Sequence, residues 1–102
     1  MTATITLKQL IDKRACLEQV ELFKKMFGSS VVVTIKLTER VYDKFNFYWA
    51  SRNLLSDAGL EAYEKAKTIH YDTYVTPYAI NLEAYRKAKA VSFAELYIKE
   101  NT

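Results

Sequence analysis

The chain has 102 residues, of which 50% are apolar and 26% are charged. This composition is typical of a folded globular protein and is far from that of an intrinsically disordered chain. The single cysteine excludes an intramolecular disulfide bond, and no apolar run approaches the ~18 residues that a membrane-spanning helix needs. Two glycines and one proline supply few tight turns, which favours helices over hairpins of strands.

The net charge of +3 is unevenly distributed along the chain. Residues 1–55 carry nine Lys and Arg against five Asp and Glu, whereas residues 56–102 carry six against seven. A mild basic bias of this kind is not by itself a sign of nucleic-acid binding. The lone Cys16 suits a reducing compartment, and the first residues lack the pattern of a signal peptide. We therefore expect a cytoplasmic protein without a membrane partner.

Two helices are predicted in the first third of the chain. Thr6 is a suitable N-cap for a short helix over residues 7–13. Residues 15–27 form a stronger pattern, because apolar side chains recur at intervals of three and four. Gly28 follows at a position where helices commonly end. The predicted apolar stripe consists of Cys16, Val20, Phe23 and Phe27.

The next segment, residues 29–35, leaves two interpretations open. Val31, Val32 and Val33 are β-branched and suit extended backbone. The favoured interpretation is a short extended connector that packs on the core. The alternative is a strand, which needs a partner, and residues 69–75 are the best candidate because they are also rich in strand-forming side chains.

Two further helices are predicted before the C-terminal half begins. Thr34 can cap a helix over residues 35–45, and Asn46 can cap the helix that follows. The aligned apolar residues are Leu37, Val41 and Phe45 in the first of these helices and Phe47, Ala50 and Leu54 in the second.

Residues 56–99 can be written as four consecutive blocks of eleven residues that align. Eleven residues make three helical turns at about 3.67 residues per turn, so each column of the alignment recurs on nearly the same helical face. The first and third blocks share the pattern Leu-Glu-Ala-Tyr-x-Lys-Ala-Lys. Two regular columns are Leu60, Tyr71, Leu82 and Phe93, and Tyr63, Tyr74, Tyr85 and Leu96.

Pro77 interrupts this repeat in its middle. Proline inside a helix costs about 3 kcal/mol but is tolerated at the first helical position, and Thr76 precedes it as a suitable N-cap. We therefore predict two helices, over residues 58–74 and 77–99, that fold back as a hairpin. A single kinked helix that extends from the body is the alternative.

The elements together predict a mainly α fold. It is a single compact domain over residues 1–102, with five or six helices and a possible short extended segment at Val31, Val32 and Val33. Residues 1–55 form the helical body, and residues 56–102 form the repeat helices that end the chain as a helical hairpin.

The chain offers little material for catalysis or cofactor binding. Cys16 and His70 are the only cysteine and the only histidine, and a zinc site needs more ligands of these types than two. Cys16 is interpreted as a small buried side chain on an apolar helix face, and His70 as a residue at the boundary of the core. We therefore expect no enzymatic activity, no metal and no cofactor.

A tyrosine-rich surface on the repeat helices is the predicted site of partner binding. Tyr can bury its ring while its hydroxyl stays in water, and Tyr and Arg are enriched at the hot spots of protein interfaces. Packing of these rings on the body of the protein is the competing interpretation. The nominated residues are Tyr71, Tyr74, Tyr78 and Arg86.

Nucleic-acid binding is the alternative function. The helix over residues 15–27 and the helix from residue 35 superficially resemble a helix-turn-helix motif, but the connection over residues 28–33 exceeds the usual three or four residues. The second helix also lacks the Arg, Asn or Gln side chains that read base edges from its start. The basic candidates are Lys24, Lys25, Lys36, Arg40 and Lys44.

Short motifs along the chain carry a resemblance to a known family. They are ITLKQLI at residues 5–11, AC at 15–16, QV at 19–20, LF at 22–23 and FG at 27–28, with the repeat motifs Ala-Tyr-Glu-Lys at 62–65 and Ala-Tyr-Arg-Lys at 84–87. In these features the chain resembles a family of uncharacterised small proteins encoded in phages and prophages, which commonly end in eleven-residue repeats. Arg14 stands where that family commonly has a glycine, and the second block, residues 67–77, departs toward aromatic residues.

The resemblance implies a setting rather than a site, because that family brings no known active residues. Small accessory phage proteins often work by binding and blocking a host protein, and inhibitors of bacterial immunity such as anti-CRISPR proteins are one such class. We therefore expect a non-enzymatic accessory protein in the cytoplasm of the bacterial host. Its expected partner is a host bacterial protein or protein complex, with nucleic acid as the alternative and self-association left open.

Overall fold

In a computed structural model, which describes residues 2–102, helices hold most of the residues, and this confirms the predicted mainly α fold class. Six helices and two short strands are present in this range. No helix within it combines the length and the apolar character that spanning a bilayer requires. In chain order the elements are β1 (Thr4–Thr6), α1 (Leu7–Asp12), α2 (Leu17–Phe27), β2 (Ser30–Val32), α3 (Ile35–Val41), α4 (Phe47–Leu54), α5 (Asp57–Tyr74) and α6 (Leu82–Glu100).

Strands β1 and β2 form a small antiparallel sheet. The extended backbone predicted near residues 31–33 is confirmed. The favoured prediction, that this segment is only a connector, is wrong because it pairs with β1. The alternative partner, residues 69–75, is also wrong, since that segment is helical through Tyr74. The residues before α1 supply the partner because they are β-branched and bury Ile5 in the core. The register pairs Thr4 with Val32, Ile5 with Val31 and Thr6 with Ser30.

Local side-chain chemistry begins and ends the helices of the N-terminal half largely as predicted. The Thr6 hydroxyl accepts the Gln9 N–H at 3.1 Å, and the Gln9 side chain accepts the Thr6 N–H at 2.7 Å, which forms a reciprocal capping box. Thr34 caps α3 and Asn46 caps α4 through their side-chain oxygens. Gly28 follows α2 with a φ of 74°, in the region that favours glycine.

Helix α3 is shorter than the helix predicted over residues 35–45, because it ends at Val41. A turn follows, in which the Lys44 N–H donates to the Val41 carbonyl oxygen at 2.9 Å. This turn lets Asn46 adopt the extended backbone that a capping residue needs. Phe45 keeps its predicted place against the core, but it does so from the turn rather than from the helix.

Helices α5 and α6 pack side by side as the predicted hairpin, which excludes the alternative of one kinked helix. Helix α6 begins later than predicted, since Asn81 rather than Thr76 is its N-cap. The Thr76 hydroxyl instead accepts the Ala79 N–H at 2.9 Å within the connecting loop. Pro77 therefore lies in this loop and not at the start of the helix.

The open end of the hairpin is fastened by the last residue of α6. The Glu100 carboxylate accepts the backbone N–H of Ser56 at 2.9 Å and also the Ser56 hydroxyl, while that hydroxyl oxygen caps α5. Gly59 leaves room for this carboxylate, because a Cβ at that position would lie 2.9 Å from the carboxyl carbon of Glu100. The start of α5 and the end of α6 are thus held together.

Helix α6 forms the centre of the core, because it packs against α3, α4 and α5. The Tyr97 hydroxyl also donates to the carbonyl oxygen of Thr4 at 2.7 Å, which joins α6 to β1. The buried side chains of α6 are Ala90, Phe93, Ala94 and Tyr97.

The interpretation of Cys16 as a core residue is wrong. Cys16 is exposed and occupies the N-cap position of α2, so it precedes the helix that was expected to bury it. The helix predicted from residue 15 begins at Leu17, and its only fully buried residue is Phe23. The four-residue spacing places Cys16 and Val20 on one helical face only if the helix includes residue 16. Because α2 begins at Leu17, this condition is not met.

Candidate functional site

The end of the hairpin that carries the connecting loop is rich in exposed apolar side chains. We define the hairpin end as residues 69–82, which are the last turns of α5, the loop and the first residue of α6. Ten large hydrophobic residues are exposed within residues 2–102, and half of them lie in this segment. They are Ile69, Tyr71, Tyr78, Ile80 and Leu82.

Three of the four residues nominated for partner binding lie at the hairpin end. Tyr78 is 98% exposed, and Tyr71 is half-exposed with its ring edge-on to that of Tyr85 at 5.6 Å between centroids. Tyr74 is half-buried beside His70. Arg86 does not join them but lines a separate groove on α6.

His70 lies at the edge of the core, as predicted. Its Nε2 atom is 2.8 Å from the Ser92 hydroxyl oxygen, and the imidazole is half-buried. This hydrogen bond joins α5 to α6. It gives His70 a role in holding the hairpin together.

A groove of about 280 Å³ lies where the turn between α3 and α4 meets α5 and α6. We call it the tyrosine groove, because three tyrosines line it. The first part of its lining comes from residues 42–48, and the rest comes from α5 and α6. Its lining consists of Tyr42, Asp43, Phe45, Asn46, Phe47, Tyr48, Tyr63, Arg86 and Lys89.

Tyr42 and Tyr48 form the sides of the tyrosine groove. The Tyr42 hydroxyl donates to the Glu83 carboxylate at 2.6 Å, and this hydrogen bond raises the pKa of Tyr42 to about 12. Arg52 donates to the Tyr48 hydroxyl at 2.8 Å, and the Lys67 ammonium lies 5.5 Å from the Tyr48 ring centroid. Both rings are therefore held in place by polar partners while part of each remains in solvent.

Tyr63 forms the floor of the groove. Only 1% of its surface is exposed, and no fully enclosed polar side-chain atom within residues 2–102 lacks a hydrogen-bond partner. The Tyr63 hydroxyl bonds to no described residue, so it must reach the solvent of the groove that it lines. It is thus a buried side chain with an unused donor at the floor of the groove.

Two cations without ion-pair partners in the described range complete the groove. The Arg86 guanidinium is exposed, and the Lys89 ammonium lies 4.3 Å from the centroid of the Tyr85 ring. Burial, together with the positive charges of Lys67 and Arg86, lowers the pKa of Lys89. The lining therefore carries two cations that form no close ion pair, against one carboxylate, Asp43.

The burial of Tyr63 predicts a pH dependence of stability. Burial first, and then the negative charge of Glu64, raises the pKa of Tyr63 from its ordinary 10 to about 12. The unfolded chain then loses this proton before the folded chain does, so the stabilisation is complete below pH 10 and is lost between pH 10 and 12. The loss is on the order of 2 kcal/mol.

Urea unfolding of the wild type and of Tyr63→Phe from pH 8 to 12 measures this contribution. The wild type is expected to lose more stability than Tyr63→Phe above pH 10, because the variant has no phenol to ionise at this position. Absorbance at 295 nm should show one fewer late-titrating tyrosine in the variant. Equal losses in the two proteins would contradict the assigned burial.

The basic residues nominated for nucleic-acid binding lie on different elements. Lys24 and Lys25 are on α2, Lys36 and Arg40 are on α3, and Lys44 is in the turn that follows. All five are exposed. Strand β2 separates α2 from α3, and α3 packs against α6, so these helices do not form the compact pair of a helix-turn-helix motif.

Sequence reasoning missed the tyrosine groove, apart from Arg86. Tyr42, Tyr48, Tyr63 and Lys89 come from four helices or turns, and only the tertiary fold brings them together. One signal was available, since the first and third repeat blocks both end in Lys-Ala, each is followed by a lysine that opens the next block, and each carries a tyrosine four residues before that lysine. Those shared residues place Tyr63, Lys67, Tyr85 and Lys89 in or beside the groove.

Within residues 2–102 no three Cys, His, Asp or Glu side chains gather as a set of metal ligands. Comparison of the chain with family models, with curated proteins and with solved structures finds no match. The likeness to phage and prophage proteins consequently rests on the sequence motifs alone. The hairpin end and the tyrosine groove are the two candidate binding surfaces.

Proposed function

We propose that the chain is a non-enzymatic accessory protein of a phage or prophage that binds a host bacterial protein through the hairpin end. We further propose that this binding inhibits a bacterial defence system, as anti-CRISPR proteins do. The setting comes from the sequence resemblance. The concentration of exposed apolar side chains at the hairpin end is the observation that supports the proposed binding.

An exposed concentration of large apolar side chains is costly for an isolated protein in water. Tyr78 leaves nearly its whole ring in solvent, and Ile69 and Ile80 are more than 60% exposed. A partner that covers these side chains removes the apolar area from water, and a tyrosine supplies a hydroxyl for the polar rim of the contact. Binding to a partner protein would therefore bury apolar surface that packing within the chain leaves in solvent.

The connecting loop is also held in one shape. Val75 and Ile80 form an antiparallel bridge, and the Asn81 N–H donates to the Tyr74 carbonyl oxygen at 2.8 Å. The Thr76 hydroxyl adds a hydrogen bond to the same loop. A loop that is already ordered loses less conformational entropy when a partner binds.

Affinity capture from a bacterial lysate tests the proposal. The tagged protein is expected to retain one host protein in about equimolar amount, and nuclease treatment and raised salt should leave this recovery unchanged. Recovery that disappears with nuclease, and that falls steeply with salt, would instead support the alternative of a small DNA-binding regulator. In that case the exposed basic residues would carry the contact: Lys24, Lys25, Lys36, Arg40 and Lys44.

Matched variants connect the captured protein to the hairpin end. Tyr78→Ala should lose the partner while keeping the thermal midpoint of the wild type, because its side chain is almost fully exposed. Leu17→Ala removes another exposed apolar side chain, on α2. It is expected to retain the partner. Equal retention by both variants would contradict binding through the hairpin end.

A further inference from the structure

We propose that the tyrosine groove is a binding site for a mononucleotide, with the phosphate at Arg86, Lys89 and the Tyr63 hydroxyl and the base against the ring of Tyr48. This site is separate from the hairpin end. It does not depend on the identity of any host protein. Several polar groups line the groove without a hydrogen-bond or ion-pair partner among the described residues.

The phosphate end of the site is defined by two cations and one hydroxyl donor. Arg86 can offer a phosphate two parallel N–H groups, and Lys89 adds a compact charge from the next turn of α6. Tyr63 lines the groove, and its hydroxyl bonds to no described residue. Because its phenol stays protonated at neutral pH, it is a donor that an anion can use.

The ring end of the site is defined by aromatic walls. Tyr48 is about half-exposed, its hydroxyl accepts from Arg52 at 2.8 Å, and Lys67 lies 5.5 Å from its ring centroid, so the ring has a fixed position and part of it faces solvent. Every nucleobase can stack on such a ring. The volume of about 280 Å³ is close to the lower limit of small-molecule sites, roughly 300 Å³, which suits one nucleotide rather than a longer strand.

The surrounding acids favour a compact dianion over an acidic peptide. Asp43 belongs to the lining, and Glu83 borders the groove through its hydrogen bond to Tyr42. An acidic segment that continues beyond Arg86 and Lys89 would bring further carboxylates toward these two acids. A phosphate concentrates its charge where the cations are and leaves an uncharged base near the remaining walls.

Isothermal titration calorimetry with adenosine monophosphate and uridine monophosphate tests the site. Both nucleotides are expected to bind one per chain, and adenosine and inorganic phosphate should each bind at least about tenfold more weakly, because each uses only one end of the groove. Arg86→Gln should weaken binding by about tenfold or more, and Tyr63→Phe by about fivefold. Lys24→Gln removes an exposed charge on α2 and is expected to change the affinity less than about twofold.

Three results would overturn the proposal. The first is no detectable binding of either nucleotide at millimolar concentration. The second is binding that Lys24→Gln weakens as much as Arg86→Gln does, which would indicate unspecific charge attraction. The third is binding of a hexaglutamate peptide, lost in Arg86→Gln, by a protein that does not bind the nucleotides. Thermal unfolding of each variant by circular dichroism confirms that the folded protein is tested, and none of these results alters the capture experiment with Tyr78→Ala.

Discussion

Replacing Ala94 with glutamate is expected to destabilise the protein by about 3–5 kcal/mol, because the new carboxylate would lie unpaired in the core. Ala94 is fully buried on α6. In the alignment of the four repeat blocks, the other three residues of its column are acidic, so the change makes the fourth block more like the rest. Those three residues are Glu61, Asp72 and Glu83.

Urea unfolding followed by circular dichroism measures this effect. Asp72→Ala is the matched control, since it makes the reverse change in the same column at an exposed position of α5. It should change the free energy of unfolding by less than about 0.5 kcal/mol. An Ala94→Glu protein as stable as the wild type would show that this face of α6 is not the core.

Replacing Phe93 with alanine is expected to cost about 3–5 kcal/mol of stability, because it leaves a cavity the size of a ring. Phe93 is 2% exposed, and its ring lies 5.7 Å from that of Phe47 and 5.6 Å from that of Tyr97. The loss therefore combines apolar burial with two aromatic contacts that join α6 to α4 and to the next turn of α6.

Leu82→Ala is the matched control for Phe93→Ala. Leu82 occupies the same column of the repeat one block earlier, but it is 49% exposed at the start of α6. Its truncation should cost less than about 1 kcal/mol. The same urea titration compares the two variants. Similar losses of stability would contradict the different burial of Phe93 and Leu82.

The burial of residues that share a repeat column shows how far the eleven-residue repeat determines the structure. The repeat correctly predicts two helices with related faces, because the column spacing matches the helical period. It does not predict burial, since Phe93 and Leu82 share a column and differ completely in exposure. Burial depends on what covers each block: the buried residues of α6 all lie between Ala90 and Tyr97, whereas five large hydrophobic residues are exposed at the hairpin end.

Capping residues were predictable where the local chemistry offered one candidate. Thr6, Thr34 and Asn46 each precede an apolar helical pattern and each caps a helix. Between α5 and α6 the chain offers both Thr76 and Asn81. The helix begins at the later one, because the bridge between residues 75 and 80 commits the intervening residues to a loop.

Features that depend on distant parts of the chain were not predictable from local pattern. The pairing of β1 with β2 joins strands of three residues, which carry too little alternation to identify a partner. The tyrosine groove has the same origin, because its charged and aromatic residues lie up to 47 positions apart in the chain. Of the four residues nominated for partner binding, Tyr71, Tyr74 and Tyr78 lie together at the hairpin end, whereas Arg86 faces a different surface.

The most direct measurement of the central claim is the dissociation constant of the complex with the captured host protein. We expect Tyr78→Ala to raise this constant by about 30-fold or more, as removal of an interface hot spot does. Leu17→Ala should leave it within about twofold of the wild type, because its exposed side chain lies on α2. An unchanged constant for Tyr78→Ala, with a large loss for Leu17→Ala, would contradict the assignment of the hairpin end as the binding surface.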